Sequence, residues 1–151
     1  MIEVREALAQ ASAALAVLAR VDRSALSDGD VVHLLGAEAA LSRLLGSCQV
    51  FTAAEVADRS RYELGAQGLS ALHGHRKAVD FIEHTTRVPK AHASRRIRLG
   101  TAVRARRSLL GEVLPAEHPI LAAAMRDGSV GVEAANTILT HLGQAVTGSA
   151  A

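Results

Sequence analysis

DVVHLLGAEAALSRLLGSCQVFTAAEVADRSRYE, residues 30–63, is the stretch whose reading decides the fold. It contains no proline, and Leu34, Leu41 and Cys48 recur every seven residues with Leu44 and Phe51 alongside. A seven-residue recurrence keeps side chains on one face of an α-helix. The stretch therefore predicts one long helix whose apolar seam suits a second helix. Cys48 falls on that seam and reads as a small core residue. Gly36 and Gly46 each cost about 1 kcal/mol relative to Ala inside a helix, so they mark a bend or a close approach of a neighbour.

Working outward toward the N-terminus, residues 2–20 space Ala, Leu and Val into a broad apolar face and predict a first helix. Asp22 to Gly29 is polar and turn-like, with Ser27 and Asp28 as candidate caps. Toward the C-terminus, Leu64 to Gly74 has three glycines and reads as a loop or a short turn, and Arg76 to Thr85 as a short helix burying Val79 with Ile82 or Phe81. Arg87-Val88-Pro89 interrupts it. Pro89 suits the first position of a further helix running to Arg106, because its missing N–H costs nothing there. Residues 107–116 form a connection. Pro119–Arg126 and Val132–Leu142 are two more helices, with Gly128 between them suited to a left-handed cap.

The expected fold is all-α. It is one helical domain of about six helices over residues 1–142, with a long central helix, followed by a flexible tail at 143–151. Composition agrees with this. Apolar residues are 49% of the 151 but aromatics only 2%, so the core must be assembled from small aliphatic side chains, which suit closely packed helices. Few segments alternate with the period of a half-buried strand. Cys48 stands alone, so the chain can form no internal disulfide and no cysteine-based zinc framework. The early Glu3, Arg5 and Glu6 do not suit a signal peptide, and no run approaches the roughly 18 uninterrupted apolar residues of a membrane span. A cytoplasmic location without membrane contact is the expectation.

Net charge is only +2, but it is unevenly spread. Residues 73–107 hold ten Lys or Arg against Asp80 and Glu83, and both flanks are acidic on balance. Within that basic block, Phe81 to Ile97 reads helix, tight turn, then a second helix with polar, basic first turns. This is the order of a helix-turn-helix, whose second helix enters the DNA major groove N-terminus first. Ala93, Ile97 and Gly100 can pack inward and leave Arg95 and Arg98 outside the buried stripe, where Arg can meet guanine edges or phosphates. Arg87 stands at the turn position where Gly is usual, at a cost on the order of 1 kcal/mol for a left-handed backbone. Leu99 and Ala102 lie opposite Ile97, which would pack the helix on two sides. Three readings of the block stay open: a solvated basic face on a structural helix, direct DNA contact, and docking on an acidic protein surface.

Nothing else carries a chemical signature. His73-Gly74-His75, with His84 nearby, lacks the three or four spaced ligands of a zinc site and reads as exposed loop histidines. Glu55, Asp58 and Glu63 near Arg59 and Arg61 read as solvated ion pairs on a helix. No nucleophile triad and no phosphate-binding glycine loop can be singled out. No catalytic residue, metal or cofactor is expected.

Three stretches add up to a family pattern: Val88 to Gly100, then Leu109-Leu110-Gly111-Glu112-Val113-Leu114-Pro115, then His118 to Val130. In their order and spacing they resemble the 13E12 repeat family, over roughly residues 30–142 and most specifically 76–135. This is an actinobacterial domain of unknown function, usually found N-terminal to an HNH endonuclease domain. The resemblance implies the helical part of a mobile-element-associated endonuclease, shortened or cut from a longer chain. The clustered His, Asn and Cys ligands of an HNH nuclease match no position here. The functional expectation is a non-catalytic, DNA-binding module using Lys90, Arg95, Arg96 and Arg98, with Arg104, Arg106 and Arg107 on nearby phosphates. The alternative is an interaction scaffold, in which the long helix's seam dimerises or docks a downstream nuclease domain without direct DNA contact.

Overall fold

Residues 2–107 and 111–148 are described by the computed structural model, so Leu109 and Leu110 of the family-like stretch lie outside the described residues. They form the expected all-α fold with one long helix, and their packing groups into two units that divide between Glu38 and Ala39.

The first unit holds helix α1 (Ile2–Ala19), which buries none of its residues. A 3-10 turn at Arg23–Ala25 follows, started by the Asp22 carboxylate accepting the Ser24 N–H at 3.0 Å. The long helix α2 (Asp28–Asp58) then begins on Ser27. The Ser27 hydroxyl donates to the Asp30 carboxylate at 2.6 Å and accepts the Asp30 N–H at 3.2 Å. This reciprocal pair satisfies an amide that the helix leaves open. Arg23 reaches Glu38 at 2.9 Å along the first turns of α2.

The second unit holds the remainder of α2 and everything after it. A 3-10 segment at Tyr62–Gln67 and the single turn α3 (Leu69–Leu72) occupy the region expected as a loop. Helix α4 (Ala78–Thr86) and helix α5 (Lys90–Val103) follow. A hairpin pairs two-residue strands, β1 (Arg106–Arg107) and β2 (Val113–Leu114), antiparallel with Arg106 opposite Leu114. Helices α6 (Pro119–Arg126) and α7 (Val132–Gly148) complete the unit, with Gly128 between them at φ 78° as a left-handed cap. Helix α5 stops three residues short of its expected end. Pro89 sits just before its first turn, at φ −56° and ψ 144°, not inside it.

The core lies where α2, α5, α6 and α7 meet. Val50, Leu99, Val103, Leu121, Ala122, Met125 and Ala135 are buried together there. A smaller cluster, Ala53, Ile82 and Ala93 with Val56, Val79, Val88 and Ile97 around it, ties α2 to α4 and α5. From α2, Val50, Ala53, Val56 and, of the seam read from the sequence, Phe51 enter these clusters, and Ser47 and Ala54 are buried beside them. Leu41 and Leu44 are exposed, and Cys48 is an exposed thiol, not a core residue. The reason is steric. A Cβ at Gly100 of α5 would sit 2.4 Å from the Val50 carbonyl oxygen and 2.7 Å from the Ala54 Cβ, so α5 lies backbone to backbone against the small-residue side of α2. Gly46 allows a second close approach, with its missing Cβ 2.9 Å from a Val132 methyl, whereas Gly36 has open space. By length and composition alone α2 could cross a membrane; Glu38 and Arg43 interrupt its apolar run.

Candidate nucleic-acid interface

Helix α4 ends because Arg87 turns left-handed, at φ 55° and ψ 30°, while its N–H still reaches the Glu83 carbonyl at 2.8 Å. Thr86 bonds back to the Ile82 carbonyl at 2.6 Å and completes the last turn. Val88 is half-buried against the Ile82–Ala93 cluster. Proline at 89 then fixes an extended backbone, and α5 starts with the His92 N–H on the Pro89 carbonyl at 2.8 Å. Helix, left-handed residue, extended pair, helix: this matches the sequence expectation, including its costly arginine. An ion pair from Lys90 to Asp80 clasps the two helices. That contact holds the Asp80 carboxyl below the usual carboxylate range, chiefly through the hydrogen bond from Lys90, and raises the Lys90 ammonium for the same reason.

The seven cations singled out from the sequence separate into distinct kinds. Lys90 is committed to Asp80. Arg104 is only 23% exposed, meets Asp58 at 3.1 Å and donates to the Ala54 carbonyl at 3.1 Å; it joins α5 to α2 instead of facing outward. Arg106 lies on β1 and donates to the Pro115 carbonyl at 3.3 Å. The backbone of Arg107 belongs to the same strand, and its side chain lies outside the described residues. The side chains of Arg95, Arg96 and Arg98 make no hydrogen bond or ion pair with any described residue.

Those last three come from the middle of α5, Arg95 and Arg96 from its second turn and Arg98 from its third. Ala91, Ser94, Arg95, Arg98 and Thr101 are exposed and recur at helical spacing, while Ala93, Leu99, Gly100, Ala102 and Val103 are buried. The helix is packed along its C-terminal half and open along its first turns. Both of the sequence arguments about it hold: the stripe of Ala93, Ile97 and Gly100 turns inward, and Leu99 and Ala102 are buried as well. Arg95 and Arg96 also border a hollow of about 540 Å³ between α2 and the start of α7, to which α2 contributes Arg43. The Arg43 side chain donates to the Gly128 carbonyl at 2.7 Å.

Arg43 and Asn136 are the wall residues that sequence reasoning missed. They lie far along the chain from the basic block, and no local spacing connects them to it. His73 stacks on Phe81 with centroids 5.0 Å apart, and His75 lies between Phe81 and His84 at 5.5 and 5.1 Å. No group of three metal-binding side chains occurs among the described residues. No family model matches the sequence, and neither a curated protein nor a solved structure is similar to it.

Proposed function

We propose that this chain is a helical DNA-binding module in which the exposed stripe of α5 meets the duplex. The supporting observation is the uncommitted state of Arg95 and Arg98 on the exposed stripe of a helix that follows a left-handed turn. An arginine that satisfies none of its donors within the protein loses nothing internal when it meets a phosphate or a guanine edge. Lys90 and Arg104 leave the proposed contact set, because the fold already uses them. Arg96 stays as a flanking phosphate contact. The family resemblance adds the expectation that such a module works beside an HNH nuclease domain, inside the cell.

Binding of this kind depends on salt. Each neutralised phosphate releases condensed counterions, so log K falls by about 0.9 per contact for each decade of salt. A mobility-shift titration on random-sequence duplex at about 50 and 200 mM salt tests it. Three contacts predict roughly a fortyfold loss of affinity over that range. No binding at the lower salt, or affinity that ignores salt, rejects the reading.

A second reading has its own observation. Leu41 is 46% exposed and Leu45 52% exposed on consecutive turns of α2, an apolar strip that an interaction scaffold would use. Sedimentation of the chain and of Leu41→Asp/Leu45→Asp separates the two. A monomer in both cases speaks against self-association.

A further inference from the structure

The hollow beside α5 has a wall that duplex contact does not explain. Helix α7 opens behind Gly131, which has no side chain to cap it, and its first return bond is Ala135 N–H to the Gly131 carbonyl at 2.9 Å. Among the described residues, the N–H groups of Val132, Glu133 and Ala134 therefore have no partner. Arg43, Arg95 and Arg96 border the same hollow as Val132, Glu133 and Ala134, and Arg43 spends only its Nε on the Gly128 carbonyl. Such a space favours an oxyanion.

One turn along α7 stands Asn136, only 8% exposed and also on the wall. Its Nδ2 donates to the Val132 carbonyl at 2.9 Å, and its Oδ1 is buried without any hydrogen-bond partner. That is the one such orphan among the described residues. An unpaired buried acceptor is costly, and it calls for an N–H or O–H donor. The ionised oxygens that an anion turns toward guanidinium groups and amides only accept, so they cannot supply one.

We propose that this hollow binds a nucleotide, with its phosphate at the open end of α7 against Arg43 and Arg96, and a donor of its sugar or base on Asn136 Oδ1. A phosphate alone leaves both the acceptor and most of the roughly 540 Å³ unused. A nucleotide brings an anion, a donor a few ångströms away and a flat base that guanidinium planes can stack on. Oδ1 is screened from water, so a wall side chain must move aside for the donor to reach it, and Arg95, which borders both this hollow and a neighbouring one that Asn136 also lines, is the one assigned to do so. Glu133 borders both hollows and opposes the anion. The nucleotide is either free or turned out of a nucleic-acid strand. The chemistry is the same for both.

Calorimetric titration of the full chain with dCMP, a short dC oligonucleotide and inorganic phosphate tests the proposal. Expected is binding of dCMP, of the oligonucleotide, or of both, about tenfold tighter than phosphate. Binding by dCMP assigns a free nucleotide, and binding by the oligonucleotide alone assigns a strand. Asn136→Leu should bring the nucleotide down to the level of phosphate and leave phosphate itself unchanged. Glu133→Gln should tighten every ligand about threefold, a gain that misfolding cannot imitate. Nucleotide no tighter than phosphate, or insensitive to both variants, overturns the proposal, as does no binding at all. Neither Asn136 nor Arg43 belongs to the duplex-facing stripe, so duplex binding that survives such a result leaves the DNA reading intact.

Discussion

Gly100 shows how much of this molecule depends on single atoms. Its missing Cβ is what lets α5 lie on the Val50 carbonyl. Gly100→Ala forces the helices apart, and overpacking of that kind costs about 1–3 kcal/mol; a thermal melt should show a clear drop. Arg87 is the converse case, a residue the backbone tolerates at a cost. Arg87→Gly relieves a left-handed arginine and should raise stability by up to about 1 kcal/mol, whereas Arg87→Val should lower it. Parallel melts of the two variants check the sign. The inward placement of Gly100 was legible in the sequence, because it lies seven residues from Ala93 on one helical stripe. Its closeness to Val50 was not, since nothing local says which neighbour comes nearest. Cys48 was misread for a related reason. A heptad seam tells which residues share a face, but Gly100 and the small side chains of Ala53 and Ala54 decide which face is covered.

Among the elements, α4 and α5 behave as one piece. The turn between them was readable because Pro89 and the polar run after it leave the chain few alternatives. The end of α5 was not, since the residues after Val103 are ordinary helix formers and only the pairing of β1 with β2 takes Arg106 out of the helix. The Lys90–Asp80 clasp has a pH signature. Asp80 is depressed in the folded chain, so its contribution is full above the usual carboxylate range and fades as pH falls below it. Lys90 is raised, so the same contribution fades again as pH climbs beyond the usual lysine range. The melting difference between wild type and Asp80→Asn should be present at about pH 7 and narrow toward about pH 3. Both groups are largely solvated, so the difference should be small and reduced by salt.

At the scale of the molecule, the sequence gathered positive charge into one block, and the fold divides that block by task. Lys90 and Arg104 hold helices together, and Arg95, Arg96 and Arg98 are left uncommitted. Charge counting could find the block but not the division, because Asp58 and Asp80 are paired by tertiary packing. This division is the central claim, and a matched set of variants tests it most directly. Duplex affinity is measured by mobility shift for wild type, Arg95→Ala/Arg98→Ala and Arg104→Ala, each with its melting temperature. The expected result is a tenfold or greater loss for the double variant with an unchanged melt, since each lost contact is worth about 1 kcal/mol or more, and the reverse pattern for Arg104→Ala. Equal affinity for the wild type and the double variant, or a loss confined to Arg104→Ala, would contradict it.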